Sequence, residues 1–200
     1  TDYATGEVKN TLYDDDGNEI YSETKDSEGR DLGYSEEGPG GAMVDVVIDP
    51  ETGERTADYQ DKDGKPISGE YQVPTESGGQ MTKTTDHATG IVSAVETDAD
   101  GKIIGEGKAE PIPGGGQKIK VEDYVTGEVI NMEIDDQGKT ISKEVKDKEG
   151  RTVKTFNKNP DGSTFEMKIN YETGLSTITK TSKDGKVEKF TGKVESMRTF

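Results

Sequence analysis

Apolar residues recur along this chain in short runs that alternate, in part, with polar ones: AMVDVVI (42–48), EVINMEI (128–134), KTISKEVK (139–146) and STFEMKI (163–169). A period of two, built from Val, Ile and Thr, is the signature of strands on a pleated surface. The residue counts agree, with 13 Ile, 14 Val and 23 Thr against 3 Leu. Glycine or a turn signal interrupts every stretch before an amphipathic helix of ordinary length could form. Other segments, QMTKTT (80–85), RTVKTFNK (151–158) and LSTITKT (175–181), carry polar groups on both faces. A sandwich needs one apolar face on every strand, and that requirement is not met. The pattern predicts an all-β fold: an elongated, repetitive antiparallel β-hairpin array of about 16 strands, running as a meander in a thin or single-layer sheet.

Two kinds of turn punctuate the strands. The first is Asp-x-x-Thr-Gly, at DYATG (2–6), DPETG (49–53), DHATG (86–90), DYVTG (123–127) and, with Asn for Asp, NYETG (170–174). In DPETG, Asp49 can accept hydrogen bonds from the following backbone N–H groups and Pro50 fixes φ; Thr52 precedes Gly53, which can take a left-handed conformation. The second kind follows at a constant offset. Eleven residues after Gly6, Gly53, Gly90, Gly127 and Gly174 come Gly17, Gly64, Gly101, Gly138 and Gly185, closing DDDG, DKDG, DADG, DDQG and SKDG. These read as type I turns followed by a left-handed glycine and a bulge. DSEG (26–29), DKEG (147–150) and NPDG (159–162) extend the series.

The Thr-Gly glycines are spaced by 47, 37, 37 and 47 residues, so the chain repeats one unit of strand, turn, strand, turn and strand. Gly/Pro-rich joints at 33–42, 73–80 and 109–117 divide residues 1–116 into segmented three-stranded repeats, whereas 117–200 reads as continuous hairpins. The whole is one repeat array. A joint could return the chain to the same sheet or start another.

Composition alone points elsewhere. Only 27% of residues are hydrophobic, Trp is absent and the net charge is −17, a profile of disordered chains. Turn glycines at a fixed offset have no purpose in a disordered chain, and local and global signals agree only if the sheet forms. Ladder hydrogen bonds and cross-strand pairs must then replace a central core.

Candidate chemistry is sparse. The loop ETDADGKIIGEG (96–107) sets Glu96, Asp98, Asp100 and Gly101 where a calcium loop places ligands and its glycine, but its twelfth residue is Gly107 rather than a bidentate Glu and no helix flanks it. The expectation is a turn and no metal, with calcium at Glu96, Asp98 and Asp100 as the alternative. His87, the only histidine, sits inside a turn motif as a solvated residue. With no Cys and no nucleophile elbow or phosphate loop, the chain is not expected to be an enzyme or to hold a cofactor. Tyr3, Tyr124 and Tyr171 recur at the second turn position, where packing across the turn is expected ahead of sugar stacking.

Two resemblances bear on this reading. DPETG resembles the turn of chignolin, a consensus mini-hairpin, which implies local shape only. YDDDG (13–17) followed by KDSEGR (25–30), with KDKEGR (146–151), is similar to the YD-repeat (Rhs-type) pattern of long hairpin arrays. That resemblance implies part of an encapsulating shell. At a pI of about 4.5 nucleic acid is not an expected partner, and no segment is apolar enough to insert in a membrane. Phe200 is like an outer-membrane barrel ending, but Ser196 and Arg198 break the alternation such a strand needs. A chain that opens at Thr1 reads as an excised segment of a longer polypeptide. The reading is a non-catalytic structural protein of the extracellular space or cell surface, a stalk, fibre subunit or matrix scaffold whose filament or self-association contacts are strand edges. A calcium- or glycan-binding adhesin module and a YD-repeat shell fragment are the alternatives.

Overall fold

The computed structural model of the chain describes residues 1–194. Ser196, Arg198 and Phe200 lie outside the described residues. The chain divides into two compact units, 1–103 and 104–200. The first holds β1 (Val8–Tyr13), β2 (Glu19–Lys25), β3 (Asp31–Glu37), β4 (Met43–Ile48), β5 (Arg55–Gln60), β6 (Pro66–Pro74), β7 (Gln80–Asp86) and β8 (Val92–Thr97). The second holds β9 (Ile103–Pro111), which begins at the boundary, β10 (Gln117–Asp123), β11 (Val129–Ile134), β12 (Thr140–Lys146), β13 (Thr152–Lys158), β14 (Thr164–Asn170), β15 (Leu175–Thr181) and β16 (Val187–Lys193). Within each unit every strand pairs antiparallel with its chain neighbours, so the all-β meander expected from the pattern is the fold.

Turn chemistry fixes the register. Every positive-φ residue described is a glycine, including the closing glycine of both turn kinds. In DPETG, Gly53 N–H donates to Asp49 O at 2.8 Å and Asp49 N–H to Glu54 O at 2.9 Å. The Asp49 carboxylate accepts from Glu51 N–H and Thr52 N–H, and the Thr52 hydroxyl accepts from Glu54 N–H. In DDDG the ring is one residue shorter: Gly17 N–H donates to Asp14 O and Asp14 N–H to Asn18 O. Five of these shorter turns carry a bulge beside them, at Leu12/Tyr13, Thr24/Lys25, Tyr59/Gln60, Glu133/Ile134 and Val145/Lys146, whereas NPDG and SKDG do not. The Thr-Gly hairpins carry no such register shift.

The three Gly/Pro joints are turns of the shorter kind. Gly38, Thr75 and Ile112 stand where Asp stands elsewhere, and each makes the same pair of backbone bonds, Gly38 N–H to Ala42 O and Gly41 N–H to Gly38 O in the first case. Each joint returns the chain to the same sheet.

Turns at the same end of a unit touch one another at a fixed sequence offset. A Cβ on Gly6 would lie 2.8 Å from Ser27 Cβ, and one on Gly127 would lie 2.6 Å from Lys148 Cβ. The same offset of 21 residues joins Gly41 to Lys62, Gly53 to Pro74, Gly78 to Ala99 and Gly115 to Asp136. Arg30 in turn donates to Glu51 at 2.7 Å across it. The glycines therefore serve both backbone conformation and lateral packing of the loops.

Little is buried. Among the described residues the only apolar side chains out of solvent are Val46, Ala57, Val145 and Ile178, and the polar Ser22 and Ser176 are buried as well. The apolar positions also change face within each unit. In the first unit Tyr34, Val44, Val46, Ala57 and Tyr59 share one face. Tyr71, Val73, Met81 and Ala94 lie on the other, which carries Asp45 and Asp58. In the second unit Ile119, Val121, Ile130, Met132 and Val145 share a face with Lys154, whereas Phe165, Met167, Ile178 and Phe190 lie on the opposite one. Neither face offers a continuous apolar surface, so stability rests on ladder bonds and cross-strand pairs of roughly 0.2–1 kcal/mol each.

Candidate functional site

The turn carboxylates are the most regular polar feature, and they serve the backbone. Asp49 is held below the ordinary carboxyl range by the N–H groups of Glu51 and Thr52, and Asp123 by those of Thr126 and Val125. Asp14 is lowered by the Asn18 side chain and backbone. Burial pushes Asp147 upward, but hydrogen bonds from Arg151 more than offset it. Each is a cap whose charged form is stabilised by donors that exist only once the turn has closed.

The calcium candidates belong to one such turn. Asp98 Oδ1 accepts from Asp100 N–H at 3.0 Å and Lys102 N–H at 2.9 Å. Glu96 lies at the end of β8, on the face that carries Met81, and Asp100 is exposed in the loop. Among the described residues no three His, Cys, Asp or Glu side chains converge as a metal site requires. His87 is an exposed turn residue whose N–H donates to Ile67 O, while its ring lies over the bare Cα of Gly69, toward Asp58.

The second-position tyrosines lean back onto the preceding hairpin. Tyr124 donates its hydroxyl to Glu106 and its N–H to Ile104 O. Tyr171 donates to Thr152 O and lies 4.4 Å beneath the Arg151 guanidinium. That guanidinium also pairs with Asp147 at 2.6 Å. Around this group is an open depression of ≈ 550 Å³, lined among others by Glu128, Lys148 and Ile169. Tyr3, at the equivalent place before β1, has no described hairpin to lean on and is 97% exposed.

The first unit holds a second polar group on the Val46 face. Arg55 donates to Glu70 at 2.7 Å and to the Tyr34 hydroxyl at 3.3 Å, and Tyr34 stacks on Tyr21. All its members have partners, so it reads as a cross-strand network that stiffens β2 to β6.

Charge is distributed by face in a way the linear sequence conceals. On the Asp45 face of the first unit, Glu37, Asp45 and Asp58 lie in adjacent strands; Asp45 and Asp58 are directly opposite, and no Lys or Arg of β3 to β5 shares that face. Asp45 accepts hydrogen bonds from Ser35 and Gln60 instead. In the second unit Lys143, Lys154, Lys158, Lys168, Lys189 and Lys193 share one face of β12 to β16 with a single carboxylate, Glu166. Glu166 pairs with Lys154 at 3.1 Å and Lys168 at 3.3 Å. Period-two spacing, as in Lys154 and Lys158 or Lys189 and Lys193, is the signal that could have located this face. It becomes readable only after the turns have set strand parity.

Compared with known families and curated proteins, the chain matches no family model and no curated protein.

Proposed function

We propose that the chain is a non-catalytic structural repeat protein of the cell exterior, serving as a stalk, fibre subunit or matrix scaffold, and that copies associate through strand edges. The observation that carries this reading is the pairing at the ends of the meander: β1 pairs only with β2, and β16 only with β15, among the described residues. The outer side of β1 therefore presents ladder donors and acceptors without a partner strand among the described residues, and such edges recruit other chains. Tyr3 supports it, since a strand added beside β1 would supply the surface that Tyr124 and Tyr171 find on their own neighbours. A YD-repeat shell calls for large apolar side chains on one concave face, and the change of face in each unit favours the scaffold instead.

The test is growth at high concentration, followed by sedimentation and electron microscopy, with Asn10→Pro and Thr11→Pro made separately. Successive N–H groups of β1 alternate between β2 and solvent. One proline therefore blocks the open edge and leaves the fold intact. The reading predicts filaments for the parent chain and none for that variant; a parent chain that stays monomeric at every concentration refutes it. The calcium- or glycan-binding alternative is separated by calorimetric titration with calcium, which the scaffold reading expects to give no heat and no change in melting.

A further inference from the structure

We propose that single-layer sheets of this protein pair face to face: the Asp45 face of the first unit in one copy packs on the Lys154 face of the second unit in another copy. This surface is distinct from the strand edges and stands whether or not the edges associate.

Each face carries a charged part and an apolar part. On the first, the carboxylates of Glu37, Asp45 and Asp58 occupy β3 to β5, and Tyr71, Val73, Met81 and Ala94 follow in β6 to β8, with the oppositely charged Lys83 and Glu96 among them. On the second, Ile119, Val121, Ile130 and Met132 occupy β10 and β11, and the lysines follow from β12 to β16. Laid together with strand order reversed, acid meets base and the strands richer in apolar residues meet, the Lys83 and Glu96 charges cancelling each other. In the same order, each charged part would meet an apolar one. The arrangement thus selects both partner and orientation.

Two observations give this contact its driving force. Tyr71 at 37%, Met81 at 40% and Val121 at 37% exposure are left partly in water by a sheet with no second layer. Sheets stacked about 10 Å apart would cover them. Directly opposed like charges also recur on both faces: Asp45 faces Asp58, and Lys154 faces Lys168. Like charges opposite each other destabilise a sheet; Lys154 and Lys168 share Glu166, whereas Asp45 and Asp58 have no cation of β3 to β5 on their face, and an oppositely charged surface relieves them. A second copy is favoured over a nucleic acid partner because the chain as a whole is strongly acidic, with net charge −17, and because its own Asp45 face supplies the complement.

The experiment is sedimentation velocity at low salt on three chains, all carrying the edge-blocking proline so that filament growth does not contribute. They are the otherwise unaltered chain, an Asp45→Lys/Asp58→Lys variant and a Lys143→Glu/Lys189→Glu variant. Lys143 and Lys189 are chosen because Glu166 keeps its two lysine partners. Circular dichroism verifies that each variant keeps its strands. The unaltered chain is expected to associate, with association weakening as salt rises. Each variant alone should associate at least about tenfold more weakly, and an equimolar mixture should recover association because the two reversed faces complement each other. The proposal is overturned if the unaltered chain is monomeric, if either variant associates as well as it does, or if the mixture fails to recover. Loss of filaments with face pairing retained would affect only the edge reading.

Discussion

Replacing Gly127 by Ala perturbs two things at once, and Gly138→Ala perturbs only one of them. Both glycines are left-handed, with φ of 75° and 76°. A side chain in that conformation costs about 1–2 kcal/mol. At Gly138 nothing lies within 4 Å of the new Cβ. At Gly127 the Cβ would sit 2.6 Å from Lys148 Cβ and 3.1 Å from Lys148 Cα. Neither atom can swing aside as the end of a flexible chain could, so the adjoining DKEG turn must shift, at the roughly 1–3 kcal/mol typical of overpacking. Gly127→Ala should therefore lose about 2–5 kcal/mol and Gly138→Ala about 1–2 kcal/mol. Urea unfolding of both variants measures the difference, and amide exchange should place the added loss at the DKEG turn. Equal losses would refute the idea that turns at one end brace each other.

Three further outcomes follow from the geometry. Gly116→Ala puts a Cβ 2.1 Å from the Ile134 carbonyl oxygen, so it should cost about 3 kcal/mol and unpair the start of β10 from β11, read by urea unfolding and amide exchange. Tyr171→Leu should lose about 0.5–1 kcal/mol, and less when Arg151 is already Ala, because the ring and guanidinium act as a pair; a double-mutant cycle in urea tests it. Acid should destabilise the turns: Asp14, Asp49, Asp86, Asp123, Asp135 and Asp147 are all held below their ordinary 3.8 in the folded chain. Their contribution is complete above about pH 4 and is lost as pH falls through the folded values. Melting at high salt, where relief of the net negative charge is screened, should show the midpoint falling below that pH; a rising midpoint contradicts the capping role.

Much of the fold is legible because its determinants are local. Gly53 and Gly64 mark left-handed positions, Asp49 marks a cap, and the alternation between them marks strands, all within a dozen residues. The joints at Gly38, Thr75 and Ile112 were unreadable as turns because each lacks the capping Asp, although the backbone ring closes in the same way without it. The charged faces were hidden for a different reason. Whether Lys154 and Lys168 share a face depends on the residues in the intervening turn and on the bulges that shift register elsewhere, and those are properties of hydrogen-bond rings rather than of strand composition. The 21-residue contact between turns depends on two hairpins lying side by side, which no single hairpin sequence encodes.

The central claim is that main-chain pairing within one sheet layer, rather than an apolar interior, holds the chain together, and native-state amide hydrogen exchange tests it most directly. β12 pairs on both sides, with β11 and β13, whereas β1 has β2 alone among the described residues. The account predicts protection at consecutive amides through residues 142–146 of β12 despite the partial exposure of their side chains, and at alternate amides only through Val8–Tyr13. Alternate protection in β12, or fast exchange throughout it, would contradict the account.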